Sequence, residues 1–226
     1  MCGRFTLRTR LNEWLQIYAI EPQAAWTPRF NIAPSQPVPA IRNHPDGGRR
    51  EFVALRWGLI PSWADSVQIG SRLINARAEG VAQKPSFKSA LASRRCLVLA
   101  DGFYEWKQSG KAKQPYFFEM TDHRPFVFAG LWDRWSKSSP AIESCTIITT
   151  TPNSLVAEIH DRMPVILTES AAKTWLDQGV TDPDRLTSLL LPYAAEEMTA
   201  YPVDSTVNSP QHDSPRCIEP LGSLFH

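Results

Sequence analysis

The chain has 226 residues, 42% of them hydrophobic, with 24 basic and 23 acidic side chains and a formal net charge of +1. That is enough apolar residue for one core, and the charge balance excludes a partner held by overall charge; nucleic acid or a membrane would have to be met by a local patch. No run is long and apolar enough to span a bilayer, and "MCGRFTLRTR" lacks the apolar centre of a signal peptide, so a soluble, cytoplasmic protein is expected.

In chain order, "TRLNEWLQIY" carries Leu11, Trp14, Leu15 and Tyr18 at helical spacing behind Thr9 as a cap. "FNIAPSQPVPAIR" is broken by prolines and reads as loop plus a short strand, "NHPDGGRR" as a hairpin-like turn, and "EFVALRWGLIP" as a strand. "SWADSVQIGSR" reads as loop and "PSFKSALASRR" as a short helix. Strands follow at "CLVLADGFYEW", "PYFFEM", "PFVFAGLWDRW" and "SCTIITTT", then a brief helix at "NSLVAEIH" and a strand at "MPVILT". "SAAKTWLDQG" has helical spacing and a closing glycine, "DPDRLTSLLLPY" is a further helix, and "MTAYPV" a last strand. Strands dominate the middle without regular alternation with helices, which argues for α+β rather than a doubly wound sheet. The expected architecture is one domain over 1–226, a strand-rich mixed or antiparallel, barrel-like sheet with flanking helices and an irregular tail from about 204.

Of the four cysteines, Cys96 and Cys145 lie in apolar or β-branched runs and read as small buried hydrophobes. No C-x-x-C pair is present, which argues against zinc; no metal and no cofactor are expected. Cys2 is different. A small residue at position 2 permits removal of Met1, after which Cys2 carries an α-amine and a thiol on adjacent carbons. The thiolate can attack an acyl carbon; alternatively the amine condenses with an aldehyde and the thiol closes a thiazolidine ring. Gly3 allows close backbone approach, and Arg4 supplies a fixed cation.

Three further stretches carry chemistry. In "LINARAE", Asn75, Arg77 and Glu79 point one way if the segment is a strand, and an amide beside a guanidinium suits a sugar-phosphate; a plain polar strand face is the alternative. In "ADGFYEWK", Tyr104 and Trp106 share one face while Phe103, Glu105 and Lys107 share the other; a carboxylate among aromatics has its pKa raised and becomes a usable general acid and base, against a surface salt bridge to Lys107. In "TTTPNSLVAEIHDRMPVIL", His160 beside Asp161 and Arg162 marks a polar site or a core histidine, and Thr149 to Thr151 offer hydroxyls to phosphate or are ordinary β-formers.

"MCGRF", "NIAP", "WGLIPSW", "NARAE", "RRCLVLADGFYEWK" and "IHDRMPVIL" occur in one order, from residue 1 to about "YPV". The chain thereby resembles the SOS-response-associated peptidase (SRAP) family, abasic-site shields on DNA. The resemblance implies that the mature Cys2 crosslinks to the ring-opened aldehyde of an abasic site in single-stranded DNA through a thiazolidine, protecting the lesion in the DNA damage response. It implies that Asn75 orients the opened deoxyribose, Glu105 assists ring opening and proton transfer including reversal, and His160 assists at the Schiff base. Arg4, Arg77, Arg162 and Thr149 are implied along the phosphate path. It implies Met1 removal by self-cleavage or by a host aminopeptidase, a weak lyase activity, and a monomer acting on single strands and at single/double-strand junctions. One departure is the stretch "ADSVQIGSRLI", where relatives carry further aromatic or basic residues and this chain offers Arg72. Two rivals stay open: an N-terminal-nucleophile cysteine amidohydrolase or peptidase, which would release ammonia from glutamine, and a non-catalytic reader of modified bases, which would tolerate loss of Cys2.

Overall fold

The computed structural model describes residues 2–9, 18, 20, 26–110 and 112–222. Thirteen strands among these residues form two sheets. The larger contains β3 (Pro37–Asn43), β4 (Arg50–Trp57), β6 (Arg95–Ala100), β9 (Phe126–Trp135) and β10 (Ile142–Thr150), which pair in the closed ring β10–β4–β3–β6–β9–β10. Only β10–β4 in that ring is parallel. Three short strands extend its rim: β5 (Asn75–Arg77) and β11 (Met163–Pro164) on β10, and β12 (Ile166–Leu167) on β9. The smaller sheet is antiparallel in the order β13 (Met198–Pro202), β8 (Ala112–Met120), β7 (Gly102–Ser109), β1 (Phe5–Leu7), β2 (Arg29–Ile32). Helices α1 (Pro85–Ser93), α2 (Ser154–Ala157), α3 (Glu169–Leu176) and α4 (Pro183–Thr187) complete the described regular structure, with five 3₁₀ turns. The α+β class and the barrel-like, strand-rich sheet expected from the sequence are what is found.

The two sheets share an aromatic core. Phe5 meets Trp57 at 5.2 Å and Phe128 at 5.8 Å between ring centroids, and Phe103 stacks on Phe118 at 4.9 Å. The opposite face of β7 and β8 carries Tyr104, Phe117 and Trp106 and is covered by Val203, Val207 and Cys217 of the tail. Alternation along "FYEWK" thus sends its two aromatic sets to two separate cores. Gly102 is needed where the chain leaves the barrel for the second sheet: an added Cβ would lie 2.1 Å from the Phe117 ring.

The structure refines several sequence expectations. "FNIAPSQPVPAIR" holds two strands, and β3 lies inside the barrel despite Pro37 and Pro39; its pairing with β6 begins at Ala40, beyond both prolines, so neither is asked for a donor there. "CLVLADGFYEW" divides at Asp101 into β6 and β7, which belong to different sheets. "MPVILT" becomes two two-residue strands on different neighbours. The loop "SWADSVQIGSR" contains the 3₁₀ turn Val67–Arg72. The described tail beyond 204 is tied down by two 3₁₀ turns and a Val203–Pro220 bridge. The helix expected in "TRLNEWLQIY" falls largely outside the described residues. Among the described residues no helix is long and apolar enough to cross a membrane.

Candidate functional site

Cys2 leads into β1, whose Phe5 pairs with Phe103 of β7, so antiparallel register carries the chain start past Glu105. On its other side stands β5, added to β10 at Asn75↔Ile147. The turn after α2 supplies His160. The four residues expected to be catalytic are thus delivered by four separate segments to one place, where the rim of the barrel meets the smaller sheet.

Asn75 Nδ2 donates to the Cys2 carbonyl at 2.7 Å, and Asn75 Oδ1 is buried with no hydrogen-bond partner. Cys2 is fully buried. Burial, with the neighbouring Glu105 carboxylate adding to it, pushes the Cys2 thiol well above its ordinary range, partly offset by the Arg4 backbone N–H. The thiol is therefore protonated at neutral pH and needs a base before it can act as a nucleophile.

Glu105 is 1% exposed, and burial pushes its carboxyl up to about 7. The alternative of a surface salt bridge to Lys107 fails on that burial, since Lys107 is exposed. Glu105 Oε2 lies 3.9 Å from His160 Nε2. His160 Nδ1 lies 3.0 Å from the Arg162 backbone nitrogen, 3.2 Å from the Arg162 carbonyl oxygen and 3.1 Å from Asp161 Oδ1, while Nε2 faces Glu105. Burial lowers the His160 pKa, in the direction of the neutral ring. Cys96 and Cys145 are also buried with raised thiol pKa values, Cys96 to about 12, but they sit within the apolar barrel core.

The residues implied along a phosphate path divide into two kinds. Arg77 is exposed on β5. Arg162 is buried and forms a two-bond pair with Glu79 (Nη1–Oε1 2.6 Å, Nη2–Oε2 2.9 Å) while donating to the Thr149 carbonyl at 2.7 Å. Thr149 is 0% exposed and its hydroxyl has no hydrogen-bond partner. Arg4 is held by groups of the smaller sheet and the tail. Its Nη1 donates to Asn31 Oδ1 at 2.7 Å and to the Val207 carbonyl at 2.6 Å, and its guanidinium lies 5.9 Å from the Trp106 ring centroid.

Sequence reasoning missed the partners that hold these groups. Buried Asn31, in "NIAP", ties Arg4 to the tail by also donating to the carbonyls of Val207, Ser209 and His212. Asp213 accepts from the backbone N–H groups of Phe30 and Asn31 and pairs with Arg29. Glu79 was legible in "NARAE", but its partner lies 83 positions away. Among the described residues no group of three or more His, Cys, Asp or Glu side chains is placed to hold a metal ion.

A thiol next to the amino terminus, set against a carboxyl that titrates near neutrality and a neutral imidazole, defines a site for nucleophilic chemistry coupled to proton transfer. The SOS response associated peptidase (SRAP) family matches residues 1–210, and the chain belongs to that family. It is 48% identical to the abasic site processing protein YoqW of Bacillus subtilis over 97% of this chain and 99% of that protein. It is 34% identical to the abasic site processing protein HMCES of Gallus gallus over 95% of this chain and 70% of that protein. A crystal structure of a protein from Bacteroides thetaiotaomicron is similar with a TM-score of 0.87 and 28% identity, covering 97% of this chain and 99% of that one.

Proposed function

We propose that this protein processes abasic sites in DNA by capturing them covalently, with Cys2 as the reagent. The observation that carries the reading is the convergence of Cys2, Asn75, Glu105 and His160 from four segments, with a carboxyl near pKa 7 at its centre. Relatives named abasic site processing proteins over nearly the whole chain support the substrate class.

Removal of Met1 frees the Cys2 amine. The abasic sugar is mostly a closed hemiacetal; protonated Glu105 delivers a proton to the ring oxygen and the aldehyde opens. The amine adds to the aldehyde carbon and water leaves, giving a Schiff base, with the neutral His160 ring beside Glu105 relaying protons. The Cys2 sulfur then adds to the same carbon, its proton passing to Glu105, and the thiazolidine closes. Aldehyde plus aminothiol becomes ring plus water, so no redox partner is needed. The same proton carrier run backwards releases the adduct. Asn75 holds the Cys2 carbonyl and keeps Oδ1 available for a sugar hydroxyl. Exposed Arg77, and Arg162 next to it through Glu79, line the path of a single strand, with Arg4 and Thr149 along the same path. The protein acts as a monomer in the cytoplasm.

The test is incubation of Met1-free protein with a single-stranded oligonucleotide carrying one abasic site, followed by heat and a denaturing gel. Wild type and Cys96→Ala give a shifted band; Cys2→Ala gives none. A heat-stable band from Cys2→Ala at the wild-type level assigns the nucleophile elsewhere, and ammonia release from glutamine by wild type alone favours the amidohydrolase reading.

A further inference from the structure

Arg162 and Glu79 meet through two parallel hydrogen bonds, the geometry in which a guanidinium also grips a phosphate. The exposures of the two side chains are unequal, 10% for Arg162 and 54% for Glu79. The carboxylate therefore lies over the fork, and moving it opens the fork to solvent. Glu79 belongs to the single 3₁₀ turn Ala78–Gly80, outside the strand ladder of β5, so its side chain can move without breaking the sheet. Beside it is a cavity of about 380 Å³ lined in part by Gln83, Thr150 and Thr151, whose amide and hydroxyls can receive a displaced carboxylate, although Asp184 also lines it with a like charge. Arg162 keeps its bond to the Thr149 carbonyl, which fixes the guanidinium while its other face changes partner.

We infer that Glu79 is a resident phosphate mimic: it occupies the Arg162 fork in the free protein, and a strand phosphate takes its place on binding. Every strand, damaged or intact, must break the pair before it gains the arginine. Affinity for intact DNA is thereby held down, and retention falls to the covalent step, which only an abasic site allows. Glu79 is then a specificity-determining residue, separating lesion from intact strand by lowering the background. The inference rests on the reading that Arg162 meets DNA.

The experiment measures binding of an undamaged single-stranded oligonucleotide by fluorescence anisotropy over a salt series. The proteins are wild type, Glu79→Gln, Arg162→Ala and the double variant. Glu79→Gln is expected to tighten binding by roughly two- to fivefold, the size of a partly exposed ion pair, with the log–log salt slope near that of wild type because the Arg162–phosphate contact forms in both. In the Arg162→Ala background the same substitution is expected to change little. Glu79→Asp, which keeps the charge but shortens the reach, should fall between wild type and Glu79→Gln and guards against a folding artefact. Equal or weaker binding by Glu79→Gln, or the same gain with and without Arg162, overturns the inference, the first by making the pair a support and the second by making the gain bulk charge. Intact DNA has no aldehyde, so these outcomes are independent of whether Cys2 crosslinks.

Discussion

Asp101 and Glu105 lie four positions apart at the start of the same hairpin, and each is 1% exposed. Their surroundings differ. Asp101 accepts from Thr6 Oγ1, the Arg8 and Thr9 backbone N–H groups, Arg8 Nε and Thr9 Oγ1, and Arg8 reaches on to Glu119 at 3.0 Å. That carboxylate is saturated with donors from the segment just after Cys2 and anchors β1 in its sheet. Glu105 faces a thiol and an imidazole, and its proton affinity is raised to the neutral range. A buried carboxylate surrounded by donors does structural work, whereas one left beside a nucleophile with its pKa raised is positioned to move a proton. One residue holds the amino-terminal strand still, and in the proposed reaction the other moves the proton for what that strand presents.

Four predictions, on three substitutions, sharpen or break this contrast. The largest effect belongs to Glu105→Gln, which keeps the shape but cannot exchange a proton: the single-turnover crosslinking rate should fall by roughly 100- to 10,000-fold, and transfer of a preformed adduct to competitor DNA should slow with it. A rate equal to wild type makes Glu105 structural. Asp101→Ala should do the reverse, costing about 3 kcal/mol in urea unfolding by stranding Arg8 and the donors around it, with the folded protein crosslinking at the wild-type rate. If Asp101→Ala is fully stable but slow, the division of labour is wrong.

The third concerns stability and pH. The folded Glu105 pKa of about 7 lies above its ordinary 4.5. The folded state therefore holds this proton where the unfolded state has released it, and stability contributed by this group falls as pH rises from about 4.5 to 7 and is level above. Glu105→Gln should be more stable than wild type at pH 8, by at most about 3 kcal/mol, and the gap should close by about pH 4.5. A pH-independent gap removes the raised pKa from the account. The smallest effect is that of Arg77→Ala, which should lower the log–log salt slope for single-strand binding by roughly 0.7; an unchanged slope places Arg77 off the DNA.

Much of the contrast was legible in the sequence, and its limits are physical. The alternation in "FYEWK" set the face that Glu105 takes but left a desolvated carboxylate and a surface salt bridge to Lys107 both open, because strand period fixes the face and not what covers it. The fold class followed from the density of strands. Asp101 read only as a turn signal, because its donors come from Thr6, Arg8 and Thr9, more than ninety positions earlier. The same distance hid the Glu79–Arg162 pair and the Asn31 knot with the tail. Pro39 concealed a barrel strand, since a proline's cost depends on which neighbour needs the missing donor, and that is a property of the sheet. The grouping of Cys2 with Asn75, Glu105 and His160 came from the resemblance of motif order, since no spacing between them predicts contact.

The central claim is that Glu105 carries the proton for Cys2, and the most direct measurement is the pH profile of single-turnover crosslinking to abasic single-stranded DNA, from about pH 5.5 to 8.5, for wild type and Glu105→Gln. The wild-type rate should change slope near the raised carboxyl pKa of about 7, and the Glu105→Gln rate should be slow and lack that inflection. An inflection near 7 that survives in Glu105→Gln would contradict the account and assign the proton to another group.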